Sequence, residues 1–155
     1  MLRLSKLGDY GTVIMAHIAC DAERCFSAAE VAAAIGVARP TVSKLLKILA
    51  REGLVVSHRG AKGGYSLARP PDQISIAQII DAVEGRIAMT ECSATAGLCA
   101  RESGCAVRSA WRRINEAVRT ALEGVRLAEF AQPSSAPVGI LDRRRGAASG
   151  LEPRA

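Results

Sequence analysis

The stretch from Ser27 to Gly53 reads SAAEVAAAIGVARPTVSKLLKILAREG. Ser27 and Glu30 have the spacing of a capping box, which opens a helix through Val31 to Ile35. Gly36-Val37 then makes a tight turn. Pro40 suits the first position of the next helix, where its missing N–H is no loss. Val42, Leu45, Leu46 and Leu49 recur at helical spacing and form that helix's buried stripe, and Gly53 closes it. Arg39, Thr41, Ser43, Lys44, Lys47 and Arg51 lie off the stripe, towards solvent or a ligand. Two helices joined by so short a turn read as a helix-turn-helix.

Downstream, Leu54-Val55-Val56 begins a strand, Gly60-Ala61-Lys62-Gly63-Gly64 turns the chain, and Tyr65-Ser66-Leu67 runs back as a second strand that Pro70-Pro71 ends. A basic, glycine-rich hairpin after a helix-turn-helix makes a winged helix-turn-helix. Ser75 caps a short helix with Ile76, Ile79, Ile80 and Val83 on one face, and Gly85 stops it. Upstream, Ser5 caps a first helix with Leu7, Tyr10, Ile14 and Ile18 on one face. Residues 91–105 read as a loop. A longer helix follows from about Val107 to Glu123, with Val107, Trp111, Ile114, Val118, Leu122 and Val125 as its apolar positions. From Gln132 the chain is Pro/Ser/Ala/Gly/Arg with little periodicity, as in a disordered tail. No internal repeat is apparent. The expected architecture is mainly α with a small β-hairpin. Residues 1–85 are expected to form the winged helix-turn-helix unit, 86–106 a cysteine loop, 107–131 a long C-terminal helix and 132–155 the tail.

The charge pattern agrees with that organisation. The net charge of +6 is uneven: residues 1–70 hold ten Lys/Arg against five Asp/Glu, whereas residues 71–131 hold seven against eight. From Ala38 to Arg69 there are seven basic residues and only Glu52 as a counter-charge. Such a face attracts polyanions, nucleic acid first. The 155 residues suffice for a core without disulfides or structural metals. No apolar run is long enough to span a membrane, and the N-terminus lacks a signal-peptide pattern. The expected location is the cytoplasm, where thiols stay reduced. A glycine-rich nucleotide loop, a nucleophile paired with a base and a substrate-pocket signature are all missing. An enzyme would also leave the basic helix and wing unexplained.

In winged helix-turn-helix geometry the third helix enters the major groove. Its early residues Arg39, Thr41, Ser43 and Lys44 are placed to reach base edges, and Arg39 is suited to read guanine through two parallel hydrogen bonds. Lys47 and Arg51 are expected to contact phosphates, which position the protein without reading sequence. In the wing, Arg59 and Lys62 flank glycines that let the backbone lie close to DNA, and an arginine there can enter the minor groove. An ordinary helical domain with solvated charges would explain a charge run. It would not explain a capping box, turn, proline-started helix and basic glycine-rich hairpin in this order.

Cys92, Cys99 and Cys105 have six and then five residues between them. Zinc sites usually bring four ligands, with cysteines roughly two to four residues apart. Here the spacing is wider, and His17 and His58 lie far away in sequence. Three thiolates in an open loop fit an iron–sulfur cluster, either 2Fe–2S or 4Fe–4S, with a fourth ligand from elsewhere. The alternatives are incidental surface thiols and a metal-free switch that forms a disulfide on oxidation. Cys20 reads as a small buried residue and Cys25 as a surface one, and neither is assigned a role.

Four segments together resemble the Rrf2 family of iron–sulfur transcriptional regulators: Leu2-Arg3-Leu4-Ser5-Lys6, Pro40-Thr41-Val42-Ser43-Lys44-Leu45-Leu46, Arg59-Gly60-Ala61-Lys62-Gly63-Gly64-Tyr65 and the three-cysteine loop. The resemblance covers residues 1 to about 130. From Glu91 to Phe130, with Trp111-Arg112-Arg113-Ile114-Asn115 and Leu122-Glu123-Gly124-Val125, it is most similar to the branch that regulates the SUF iron–sulfur assembly operon. The resemblance implies a cytosolic homodimeric repressor or dual regulator. Its long helix would pair across the dimer through Val107, Trp111, Ile114, Val118 and Leu122, with the cluster near the junction to the DNA-binding unit. The apolar stripe on that helix also finds little in a small domain to cover it. Two-fold symmetry then implies a partly palindromic double-stranded operator. IscR-like members carry a histidine three residues after the last cysteine. Arg108 stands there in this chain, and its permanently protonated side chain cannot ligate. NsrR-like members use a carboxylate near the start of the first helix, given by the other subunit, and Asp9 occupies the matching position. Asp9 is therefore the resemblance's fourth ligand, although an aspartate there also suits the helix dipole. Glu91 and Glu102 are further candidates.

Overall fold

The computed structural model describes residues 4–60, 63–90 and 105–131. Its helices are α1 (Lys6–Ala19), α2 (Ala28–Ile35), α3 (Arg39–Arg51), α4 (Ile76–Glu84) and α5 (Arg108–Gly124). Strands β1 (Val55–His58) and β2 (Gly64–Leu67) lie between α3 and α4. Single 3-10 turns cover Pro71–Gln73 and Leu127–Glu129. The described part of the chain is thus mainly helical with a two-stranded antiparallel sheet. Cys92, Cys99, Lys62 and the tail from Gln132 lie outside the described residues.

Ser5 starts α1 by accepting hydrogen bonds from the Leu7 and Gly8 N–H groups. The buried face of α1 is Gly8, Gly11, Ile14, Met15, Ile18 and Ala19, whereas Leu7 is exposed and Tyr10 half-buried. The expected face is displaced because α1 meets α4 through its glycines. A Cβ on Gly11 would lie 2.9 Å from Val83 Cγ2, and one on Gly8 would run into the Glu84 carboxylate. Glycine carries no hydrophobic signal, so the line of closest approach is silent in the apolar pattern.

The capping box of α2 forms as expected. The Glu30 N–H donates to Ser27 Oγ at 3.2 Å, and the Ser27 N–H donates to Glu30 Oε2 at 2.8 Å. Helix α3 begins at Arg39, so Pro40 occupies its second position rather than its first. The shift costs nothing, because the first four N–H groups of a helix have no partner within it. Val42, Leu45, Leu46 and Leu49 are fully buried. Gly53, at φ +70°, ends α3 in a Schellman arrangement. The Leu54 N–H bonds the Leu49 carbonyl at 2.9 Å and the Gly53 N–H bonds that of Ala50 at 3.1 Å.

In the hairpin, Val55 pairs with Leu67 and His58 with Gly64. Residues alternate between faces. Val55 is buried, and Tyr65 and Leu67 pack against the core, while Val56 and His58 face outward and are exposed. Phe26 adds a third piece of backbone to this sheet. Its N–H donates to the Tyr65 carbonyl at 2.9 Å, and the Tyr65 N–H returns a bond of 2.8 Å. A Cβ on Gly64 would sit 2.5 Å from the Phe26 carbonyl oxygen, so only glycine fits there.

A second capping box, Ser75 with Gln78, opens α4, and Gly85 at φ +86° ends it. The chain beyond α5 returns to the same place. The Ile76 N–H donates to the Val125 carbonyl at 3.0 Å, and the Leu127 N–H donates to the Ile74 carbonyl at 2.8 Å. Leu127 is completely buried in one core with Ile14, Ile18, Leu45, Leu46, Leu49 and Ile79. The stripe on α5 divides in two. Val118 and Leu122 are half-buried, and Leu122 packs against the core of its own subunit, whereas Val107, Trp111 and Ile114 are exposed.

Candidate nucleic-acid interface and cysteine site

Burying Val42, Leu45, Leu46 and Leu49 turns the opposite side of α3 outward. Arg39, Lys44, Lys47 and Arg51 are exposed there, with Thr41 and Ser43 half-buried beside them. The first turn of α3 holds no acidic residue and no side-chain cap, so its backbone N–H groups and Arg39 present positive potential together. Arg51 donates to the neighbouring Glu52 at 3.0 Å, and both side chains are largely exposed. An exposed pair of this kind contributes little to stability and leaves Arg51 available for exchange with a phosphate.

The wing follows α3 and carries a further exposed cation. Arg59 is exposed at the start of a turn in which Gly60 adopts φ +106° and the Gly63 N–H bonds the Gly60 carbonyl at 2.9 Å. His58 Nε2 lies 2.8 Å from Ser66 Oγ on the outward face. Neither His58 nor Ser66 was singled out from sequence, although period-2 alternation from buried Val55 would have placed His58 outward.

The wing is held to the helix-turn-helix by one aromatic cluster. Phe26, whose backbone pairs with Tyr65, carries the Arg24 guanidinium 4.6 Å from its ring centre and the His17 ring edge-on at 5.2 Å. Arg24 also pairs with Glu30 at 2.7 Å. The Ser27 backbone N–H, its side chain and Arg24 hold the Glu30 carboxyl below its ordinary range. Burial, and then the Arg24 charge, pushes the His17 imidazole below its ordinary value of 6.5. The unfolded chain therefore takes up a proton near 6.5 that the fold resists, and stability falls as pH drops through and below that value. Urea midpoints measured between about pH 7.5 and about pH 5.5 should decline, and His17→Gln should flatten the decline. An undiminished slope in His17→Gln would assign the acid sensitivity to other groups.

Cys105 is half-buried three residues before α5, and its carbonyl accepts the Arg108 N–H at 3.3 Å. Its two companion thiols, Cys92 and Cys99, fall outside the described residues. Among the described residues no three His, Cys, Asp or Glu side chains gather closely enough to hold a metal ion. Asp9 is exposed in the first turn of α1. It borders a hollow of about 590 Å³ that is also lined by Leu4, Ile80, Glu84, Leu122 and Phe130. The remaining cysteines reverse their expected placement. Cys20 is exposed, with its thiol directed at the Ala16 carbonyl at 3.3 Å, while Cys25 is half-buried beside Gly64. Cys20 follows the last turn of α1, where the buried face has already rotated past it.

Known proteins share this arrangement. The Rrf2 family, described as iron-dependent transcriptional regulators, matches residues 4–133. The IscR regulator of Aliivibrio salmonicida is 30% identical over 130 residues, which is 83% of this chain and 77% of that relative. Among solved structures, CymR of B. subtilis, described as its global cysteine regulator, is 33% identical with a TM-score of 0.68, covering 84% of this chain and 97% of its own. T. potens IscR is 29% identical with a TM-score of 0.65, covering 83% of this chain and 85% of its own. No helix among the described residues is long and apolar enough to cross a membrane. With its recognition helix, wing and matched length, the chain belongs to the Rrf2 family of iron-dependent transcriptional regulators, DNA-binding proteins rather than enzymes.

Proposed function

We propose that this chain is a homodimeric repressor that binds a partly palindromic operator and responds to an iron–sulfur cluster, controlling SUF cluster-assembly genes. The carrying observation is the exposed basic face of α3 beside the wing, on a chain that also bears Cys105 at the start of α5. Arg39, Thr41, Ser43 and Lys44 reach base edges, and Arg39 donates two hydrogen bonds to one guanine. Lys47, Arg51, Arg59 and Lys62 neutralise phosphates or enter the minor groove.

Cys92, Cys99 and Cys105 hold the cluster, and Asp9 of the partner subunit completes the set. The fit rests on donor chemistry: three thiolates are the soft ligands that iron–sulfur clusters take, and a carboxylate is a weaker, more exchangeable fourth. When bound, the cluster supplies a linkage among the thiolates that is sensitive to iron supply and redox state. Only a difference in how that linkage interacts with two arrangements of the protein can alter operator affinity.

Dimerisation is supported by matched surfaces. Val107 at the cap of α5 and Trp111 and Ile114 on it are exposed, with Arg112 and Arg113 beside them. The hollow against α1 offers Leu4 and Phe130 with Asp9 and Glu84. Apolar faces apolar and base faces acid when a second copy lays the start of α5 near this hollow. Val118 and Leu122 then continue the same stripe inward.

Anaerobic isolation, a visible spectrum, and iron and acid-labile sulfide determined per chain test the cluster. Brown protein with matched iron and sulfide is expected, and Asp9→Ala should change its spectrum or its lability. An unchanged spectrum would remove Asp9 from the ligand set. A second reading is a metal-free thiol switch, favoured by the likeness to Staphylococcus aureus CymR, whose solved structure is described as an oxidized form. It predicts colourless protein after attempted reconstitution and a reversible disulfide among Cys92, Cys99 and Cys105.

A further inference from the structure

Helix α4 sits between the helix that starts beside Cys105 and the helix that faces DNA, since it packs against α1, α3 and α5. Its joint with α5 has two parts. One is the strap from Ile74 to Leu127, made of backbone bonds and anchored by the buried Leu127 side chain. The other is a side-chain latch. Asp81 Oδ1 accepts the Ile87 N–H at 2.9 Å, and Asp81 Oδ2 lies 3.2 Å from Arg119 Nη1 on α5. Arg119 Nε lies 2.7 Å from Glu123 Oε1. Asn115 Oδ1, also on α5, accepts the Met89 N–H at 3.0 Å. The chain leaving α4 is therefore tied to α4 at Ile87 and to α5 at Met89.

The geometry makes these ties specific. Asn115 lies seven residues into α5 from Arg108, so about 10 Å along its axis from the end that carries Cys105. Asp81 and Arg119 are only about one-quarter exposed, a setting in which an ion pair contributes little net stability but fixes orientation. The Asp81 carboxylate, and then the Glu123 carboxylate, hold the Arg119 guanidinium above its ordinary value against the effect of burial. The apolar packing of α4 rests on Ile76, Ala77, Ile79 and Ile80 and does not require Asp81. The latch is polar and separate from that apolar packing.

We propose that Asp81 and Asn115 are positioning residues that carry the state of the Cys105 end of α5 through α4 to the recognition helix. This rests on the reading of the chain as a DNA-binding regulator that senses through cysteine, and it deepens that reading by naming the coupling. Coupling is reciprocal, so DNA bound at α3 must change the environment of Cys105 as much as Cys105 changes DNA affinity. A measured coupling, rather than position between two sites, is what establishes such a route.

The test uses the full-length, cluster-free protein and a duplex that the protein selects from a random-sequence pool. Fluorescence anisotropy first establishes duplex binding. The rate of Cys105 carbamidomethylation by iodoacetamide is then mapped by mass spectrometry with and without saturating duplex. In the unaltered protein the rate should change about fivefold or more on binding DNA. In Asn115→Ala the change should fall below about twofold while duplex binding and the thermal midpoint persist. Asn115→Asp keeps the acceptor oxygen and should retain most of the change. Asp81→Asn keeps an acceptor for Ile87 but loses the ion pair, and should fall between the two. An Asn115→Ala protein with the full duplex-dependent change overturns the proposal, as does an unaltered protein whose Cys105 rate ignores DNA. Loss of duplex binding in the anisotropy step marks failure of the DNA-binding reading, and missing iron on reconstitution marks failure of the cluster reading. Each is read separately from the coupling.

Discussion

Arg39→Ala and Lys47→Ala should both weaken operator binding, but with different signatures. Both side chains are exposed on α3 and contribute nothing to the buried stripe, so thermal midpoints should stay within about 2 °C, as for surface substitutions away from special features. Arg39 stands at the first position of the helix, where a guanidinium can reach both acceptors of a guanine. Its loss should cost about 1–3 kcal/mol, roughly 5- to 150-fold in Kd, and should relax the preference at one base of each half-site. Lys47 lies two turns further along and should act on a phosphate. Its loss should weaken all sequences nearly equally and lower the slope of log Kd against log salt by about one. Competition binding with single-base operator variants at several salt concentrations separates the two. An Arg39→Ala protein that keeps its full base preference would reassign Arg39 to the backbone.

Leu127→Ala should destabilise the protein by about 2–5 kcal/mol, the range for removing most of a buried leucine side chain. That is a large part of the roughly 5–15 kcal/mol that holds a domain together. Leu127 has no solvent exposure and packs into the core built from Ile14, Leu46, Leu49 and Ile79, although it follows Ile74, its backbone partner, by more than fifty residues. The same substitution should loosen the strap that brings α5 back to α4, so the DNA-binding helices should lose stability although none of their own residues has changed. Urea unfolding followed by circular dichroism gives the value. Val56→Ala, at an exposed position on the outward face of β1, is the control and should cost well under half as much. A Leu127→Ala cost below about 1 kcal/mol would show that the core closes without the strap.

The two expectations differ in how far they could be read from the chain. The outward face of α3 follows from the spacing of Val42, Leu45, Leu46 and Leu49, because a 3.6-residue period assigns every neighbour to one side or the other. Leu127 carries no such signal. It sits in a single 3-10 turn after a glycine, too short for periodicity, and only the backbone bonds to Ile74 and Ile76 reveal it as core. The apolar stripe of α5 shows the same boundary. Its existence was legible, but its division into an inner part at Leu122 and an outer part at Val107, Trp111 and Ile114 depends on where α4 ends. The cysteines divide likewise. Residue type and spacing suggest Cys92, Cys99 and Cys105 as a thiolate set, whereas the exposure of Cys20 and the contact of Cys25 with the wing required the arrangement of the loop between α1 and α2.

What the sequence by itself determined was local and periodic. The caps at Ser5, Ser27 and Ser75, the stops at Gly36, Gly53 and Gly85, the hairpin and the basic face of the recognition helix all arise from interactions within a few residues. Those interactions are written directly in residue type and spacing. The tertiary structure alone decided the pairing of Phe26 with Tyr65, the glycine contact of α1 with α4, the strap ending at Leu127 and the latch of Asp81 and Asn115. Each joins residues far apart in the chain through backbone groups, absent side chains or single polar atoms. None of these leaves a repeating pattern, so they exist only once the helices have packed.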